Sequence, residues 1–512
     1  MNRLAVLCCV CLLVTAGFAP IVAGGHPHTA DSDSSHTATT DSHEPSIASV
    51  ADTGDFNSGP LGCVNGICHD DELNLDQADG LSAEELQTLV YRSMARVEEL
   101  RGERFEADVP VNVMSREEFR EERGHQNRSA EFDRWNDQVW KALFVVGADE
   151  RANEEIDETV GSAVAGFYRP STNEVVIITP EPESPQINER TLVHELAHAL
   201  QDQRHDLTQS KYRGATQDAD LAVTGVYEGE VVYLESKYEA RCEEGRWECL
   251  DEPPRNGASG SPNQGLLLLL LQPYSDGPAY VADIIEEEGW TGVDARMEHP
   301  PTTTTEIIHR KPVESQPIEL ADTATAGWEQ YSDQGIGGAE VTGEASLFVM
   351  FWYQASTYGA ETIDPSIISE TSHPNERRNY VSEPSNGWVS DELYPYRRGD
   401  DDGYVWALEW ETADDAAEFQ RAYGAILAAH DATQTDSGVY VVDDGGFSGA
   451  YAVAVDETRV TIVHAPTADG VFELAPGLDP EAITHDSVPG FGAGVSLAAL
   501  ALAAAVFRRL AA

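Results

Sequence analysis

The sequence predicts an α+β protein, and three observations carry that expectation. Around residues 165–179 an apolar-aromatic arm, a turn at Pro170-Ser171-Thr172-Asn173 and a β-branched run from Val175 to Ile178 read as a hairpin. Two helical stretches follow at about residues 191–206 and 219–240, with apolar side chains recurring at helical spacing. Beyond about Gly338, aromatic strand signals alternate with one helix, the pattern of a smaller α+β unit.

Taken in order, Ser82 and Glu85 form a capping box ahead of Leu86, Leu89, Val90 and Met94, which predicts a helix to about Leu100. Residues 108–114 alternate like a strand, and 132–144 read as a helix. The leucine run 266–271 is far too short to span a membrane and reads as a buried helix wall beside the cleft. Residues 345–353 are an apolar helix or strand. After them come a strand at 404–408, a helix through Asp414, Ala417, Phe419 and Tyr423, and strands at 440–442, 450–455 and 459–463.

Length and charge bound the function. At roughly 150 residues per domain, 512 residues allow about three domains. Ninety acidic residues against 32 basic ones give a net charge of −58, which excludes the basic face that nucleic acid requires. Only Lys141, Lys211, Lys237 and Lys311 are lysines, and the acid is spread along the chain, so the surface resembles that of proteins from extreme halophiles.

The ends predict location. Residues 1–24 carry Arg3, an apolar run and small residues at Ala19, Ala23 and Gly24, a secretory signal peptide that would remove Cys8, Cys9 and Cys11. Residues 25–74 read as a flexible stalk whose His26, His28, His36 and His43 fall in a solvated tail. The first folded domain is expected over 75–335, the second over 336–475, and a linker over 476–488. At 489–512, Pro489-Gly490-Phe491, an Ala- and Leu-rich stretch and Arg508-Arg509 resemble the PGF-type C-terminal sorting signal of halophilic archaeal surface proteins. That resemblance implies an archaeosortase as processing partner and a lipid in place of the tail; a retained membrane anchor is the alternative. Either way the protein is exported and held at the outer face of the membrane.

Four cysteines then remain. Their spacings favour disulfides Cys63–Cys68 and Cys242–Cys249 among three pairings, with a four-thiolate zinc knot as the alternative. Asn127-Arg128-Ser129 fits a glycosylation sequon. Asp391, Asp400, Asp401 and Asp402 lack the ligand spacing of a calcium loop and read as solvated surface.

The chemistry is carried by His194-Glu195-Leu196-Ala197-His198. Four residues make about one helical turn, so both imidazoles project from one face toward one zinc, and Glu195 stands beside them to take a proton from the water that the metal activates. A catalytic zinc takes three protein ligands. His205 lies about 16 Å along the helix from His194, too far to share the ion. The third ligand is expected from the next helix, at Tyr227-Glu228-Gly229-Glu230. Glu228 and Glu230 differ by about 200° around a helix, so one of them faces the metal; Glu228 is preferred and Glu230 is the alternative.

Hairpin, HExxH helix and glutamate helix in this order resemble the gluzincin group of zinc metallopeptidases. The pair Glu228-Gly229 is similar to the ligand glutamate of the aminopeptidase-N-like gluzincins, which implies Glu228 as third ligand beside His194 and His198, with Glu195 as general base. Glu228 is not preceded by Asn, and Val232 stands where the thermolysin pattern has Asp, so the partner that orients a zinc histidine is unassigned. HELAHALQDQ also resembles a group of predicted peptidases in which a later stretch like residues 300–306, followed by a histidine at the place of His309, recurs. Tyr233, Tyr274 and His309 are candidates for the donor that steadies the oxyanion. The expectation is therefore a cell-surface zinc peptidase acting on peptide or protein substrates. The alternatives are a catalytically silent zincin-fold adhesion protein and a hydrolase of non-peptide amides.

Overall fold

The computed structural model describes residues 59–123, 128–253, 262–313, 318 and 320–478. The expected signal peptide, most of the stalk, Asn127 of the sequon, and the end of the chain from 479, sorting signal included, lie outside the described residues. Among those described, no helix is long and apolar enough to cross a membrane.

The protein mixes helix and strand, as the sequence predicts. A hairpin of β1 (Cys63–Val64) and β2 (Ile67–Cys68) leads to α1 (Ala83–Arg101), β3 (Val111–Met114), α2 (Arg116–Arg123), α3 (Ala130–Ala142) and α4 (Ala152–Ala163). Next come β4 (Gly166–Arg169), β5 (Glu174–Ile178), α5 (Glu189–His205), α6 (Gln217–Glu243), α7 (Gln264–Leu270), α8 (Gln272–Glu288), α9 (Trp290–Glu298) and α10 (Thr304–His309). The remainder is β6 (Glu329–Gln330), α11 (Gly343–Tyr353), β7 (Trp388–Arg398), β8 (Asp401–Trp410), α12 (Ala413–Ala429), β9 (Thr433–Gln434), β10 (Tyr440–Val442), β11 (Gly449–Asp456), β12 (Arg459–Ala465) and α13 (Ala468–Leu474).

Two sheets organise these elements. The small one has the order β3-β5-β4, with β3 parallel and β4 antiparallel to β5. The large one is antiparallel throughout, in the order β6-β7-β8-β12-β11-β10-β9. Helix α1 begins with the expected capping box at Ser82 and Glu85. Residues 345–353, open between helix and strand in the sequence, are helical, and Ala345 to Phe351 are all buried.

Two expectations change, and one alternative drops out. The stalk ends earlier than composition suggests, because residues 59–74 are tied to the body: Arg96 Nε donates to the His69 carbonyl at 3.0 Å, and the Leu73 N–H donates to Glu248 at 2.9 Å. The cysteines form the two local disulfides, Cys63–Cys68 and Cys242–Cys249, which excludes the zinc knot. The two expected domains share one apolar core, in which Trp135, Trp140 and Phe144 pack with Phe348, Phe351, Trp406 and Tyr451. The Trp135 indole donates to the Gly338 carbonyl at 3.0 Å across the expected boundary. Helix α11, apolar on every side, has no face to give to solvent and so joins the two parts.

Candidate metal centre

Helix α5 starts on Asn188, whose side chain accepts from the N–H groups of Arg190 and Thr191. Its first turn is fixed from α1, where Arg92 and Arg96 both grip the buried Glu189, at 3.1 and 2.6 Å. One turn apart on this helix, the His194 and His198 rings lie 5.0 Å from centre to centre. Helix α6 brings Glu228 against them. Glu228 Oε2 is 3.4 Å from His194 Nε2 and 3.2 Å from His198 Nε2. One ligand atom from each of the three lies within 4.8 Å of the others, the only such metal-competent group among the described residues. All three side chains are buried.

The outward-facing imidazole nitrogens are fixed in turn. His194 Nδ1 meets Glu235 Oε2 at 2.9 Å, and His198 Nδ1 meets Gln201 Oε1 at 3.0 Å. A metal requires the tautomer in which each Nδ1 donates to its acceptor and each Nε2 offers its lone pair, and Glu235 and Gln201 present oxygens placed to accept those two Nδ1 hydrogens. Glu235 fills the role the sequence left unassigned, and it sits seven residues beyond Glu228, two turns along the same helix face. Neither Glu235 nor Gln201 was singled out from the sequence; the i+7 and i+3 spacings from Glu228 and His198 were the available signals.

Glu230 does not face the cluster. It accepts from Gln201 Nε2 at 2.8 Å and from Arg101 Nε at 2.6 Å, so it braces Gln201 from behind. This removes it as alternative ligand, as the 200° offset implies. His205 pairs with Asp294 and Glu298, at 3.6 and 3.4 Å, away from the centre.

Of the three candidate oxyanion donors, only Tyr274 joins the site. Helix α8 places its hydroxyl 2.6 Å from Glu228 Oε1, to which it donates. Tyr233 instead packs edge-on against Trp290 under the Lys237 ammonium, on another side of α6 from Glu228. His309 is held by Glu344 at 2.9 Å. The threonine-rich stretch before it is structural: Thr303 caps α10, and the Thr304 N–H and hydroxyl donate to Asp218 near the start of α6.

The glycine after Glu228 has a steric reason. A Cβ on Gly229 would lie 2.5 Å from the backbone of Gly277, and one on Gly277 would lie 2.3 Å from the Gly225 carbonyl. Helices α6 and α8 thus meet backbone to backbone, and this contact delivers Tyr274 to Glu228.

Electrostatics follow from burial and close charges. Burial alone would lower His194, but hydrogen bonds to Glu228 and Glu235 outweigh it and bring the group up to about 10. Burial opposes ionisation of Glu228 and Glu235, yet the neighbouring histidines, with Arg190 and Arg377 beside Glu235, hold both at about 2. Glu195 behaves in the opposite way. Fully buried, with neither carboxylate oxygen meeting a donor at hydrogen-bonding geometry, it is pushed well above the usual carboxylate range by desolvation. His194 opposes this shift, whereas Glu228 and Glu235 add to it.

Two imidazoles and one carboxylate form a donor set suited to catalytic zinc, and the convergence of both Nε2 atoms on one carboxylate oxygen fits a common ion. Of the cluster, His198 lines a cavity of about 470 Å³.

A family model described as "Domain of unknown function (DUF8575)" matches residues 329–475. The match covers the large sheet with α11, α12 and α13, less than half of the chain, and none of the metal cluster. No curated protein and no solved structure matches the chain.

Proposed function

We propose that the protein is a zinc-dependent peptidase with a zincin-like catalytic part, exported and anchored at the outer face of the membrane by its C-terminal end. The observation that carries this reading is the buried His194, His198 and Glu228 cluster with the buried carboxylate of Glu195 beside it. His194, His198 and Glu228 would hold the zinc, which supplies Lewis acidity toward a peptide carbonyl and acidifies a water.

The chain's own residues do the remaining work. Glu235 and Gln201 keep the imidazoles oriented. Glu195 accepts the proton of the attacking water and passes it to the leaving amine; its raised affinity for protons suits both steps. Tyr274 stays protonated because burial and then the Glu228 charge push its phenol well above its ordinary value, so its one hydrogen stays committed to Glu228 Oε1 and holds that carboxylate in place.

The test compares wild type with Glu195→Gln on casein and peptides in molar salt. Zinc content should stay at about one per chain while hydrolysis falls by at least about a hundredfold. Equal hydrolysis by the two proteins would end the reading, and zinc binding without any hydrolysis by wild type would favour the silent adhesion protein.

A further inference from the structure

The cavity at His198 is lined by aromatic and basic side chains. Phe119, Phe167, Tyr212 and Tyr227 form its apolar walls, and Arg123, Arg169 and Arg213 line it against one carboxylate, Glu122. In a protein of net charge −58, a lining with three guanidiniums and one carboxylate leaves room for a cation that no acidic side chain claims.

The three arginines are not equivalent. Arg123 is bound to Asp157 at 3.2 Å, and Arg169 is bound to Glu174 and to Glu122, the latter at 2.7 Å. The exposed Arg213 side chain has no hydrogen bond or ion pair among the described residues, only a longer-range attraction to Asp220. Its backbone is nonetheless pinned on both sides. Tyr212 is buried and donates its hydroxyl to the Met297 carbonyl at 3.0 Å, and the Gly214 N–H donates to Asp220 at 2.9 Å. Gly214 also lies so close to α6 that a Cβ there would fall 1.9 Å from the Asp220 nitrogen. The fold therefore fixes the backbone from which an uncommitted guanidinium reaches the cavity that His198 lines.

We propose that this cavity is the subsite for a substrate side chain and that Arg213 takes a carboxylate of the bound peptide, so that the preferred substrate joins an apolar or aromatic residue to an acidic group. The inference rests on the peptidase reading and adds its substrate class. A cavity of about 470 Å³ lies within the range of about 300–1,000 Å³ usual for ligand pockets, which suits a short peptide segment. In molar salt the screening length is about 3 Å, so a direct guanidinium–carboxylate contact persists while longer-range attraction to the other arginines is lost.

Two sources offer the carboxylate, an acidic side chain or the C-terminus of the substrate. Three matched peptides separate them: internal Glu with an amidated end, internal Gln with an amidated end, and internal Gln with a free end. Each is tested for hydrolysis by wild type, Arg213→Gln and Arg213→Lys, and for equilibrium binding to Glu195→Gln alone and combined with Arg213→Gln.

Wild type should favour one carboxylate peptide over the neutral one by about tenfold in kcat/KM, the worth of one charge-assisted hydrogen bond, and Glu195→Gln should show the same order in binding. Arg213→Gln should erase the preference, and Arg213→Lys should restore part of it. Preference for the internal Glu identifies an acidic side chain, and preference for the free end identifies the terminus. Equal treatment of all three peptides, a preference that survives Arg213→Gln, or no binding of any peptide at millimolar concentration would overturn the proposal. Absence of hydrolysis with an Arg213-dependent preference in binding would overturn only the peptidase reading.

Discussion

Replacing Glu235 by Gln should weaken zinc binding without removing any ligand. Glu235 is 3% exposed and accepts at once from His194 Nδ1 at 2.9 Å, Arg190 Nε at 2.6 Å and Arg377 Nη2 at 3.3 Å. A glutamine of the same shape keeps one oxygen, loses the charge and turns its amide N–H groups toward one of these donors. Loss of such an orienting partner typically lowers metal affinity by about 10–100-fold, or about 1.4–2.7 kcal/mol. Breaking a fully buried ion pair costs about 3–5 kcal/mol, but Arg190 keeps Glu239 at 2.9 Å and Arg377 is partly exposed, so a folding cost of about 2 kcal/mol is expected. The assay is zinc competition against a chromophoric chelator in molar salt, with thermal unfolding of the zinc-free variant alongside. A folded variant whose zinc affinity lies within about twofold of wild type would show that Glu235 does not orient His194.

Further outcomes follow from the same geometry. Glu230→Gln should retain zinc yet lower stability by about 3 kcal/mol, because the buried Arg101 keeps only Asp294; loss of zinc would return Glu230 to the ligand set. Gly229→Ala should cost about 3 kcal/mol and weaken zinc binding, since the new methyl meets the Gly277 backbone and parts α6 from α8; a neutral effect in both readouts would dismiss the helix contact as a positioning device. Burial raises Asp218 to about 7 and Asp276 to about 8, above an unfolded value of about 3.9. Their stabilising contribution is complete below the unfolded value and is lost as pH rises through 7 and 8, and Glu340, raised to about 8, and His194, raised to about 10, act with the same sign, so the zinc-free protein should lose at least about 2 kcal/mol between pH 6.5 and 8. Lys141, lowered by burial to about 8, offsets a small part of that loss. Chemical unfolding at several pH values checks this, and a stability that rises over the window would contradict the assignment.

What could be read from the sequence was set by local geometry. His194 and His198 stand one turn apart in any helix, and the hairpin before them follows from alternation and turn residues, so both were legible without tertiary knowledge. That only one of Glu228 and Glu230 would face the metal also followed from helical angle, whereas the preference for Glu228 came from the resemblance of the Glu228-Gly229 pair. Glu235 was not legible, because its role depends on how α5 crosses α6, and Gln201 was overlooked although it stands three residues from His198 on the same helix. Tyr274 reached the site only through the meeting of Gly225, Gly229 and Gly277, which no periodicity shows. Helix α8 was missed for a related reason: Pro273, Gly277 and Pro278 read as breakers, yet the first occupies the opening turn and the others lie within the helix. Helix α2 was missed because REEFREER buries only Phe119 and gives no apolar stripe. The early end of the stalk depends on a disulfide and on hydrogen bonds to α1, which composition does not report.

The metal cluster itself is tested most directly by zinc content per chain, measured on the exported region purified in molar salt as wild type, His194→Ala, Glu228→Ala and Glu230→Gln. About one zinc in wild type and in Glu230→Gln, with far less than one in the other two, is expected for a catalytic site of three protein ligands. No stoichiometric zinc in wild type, or full zinc in a folded Glu228→Ala protein, would contradict it.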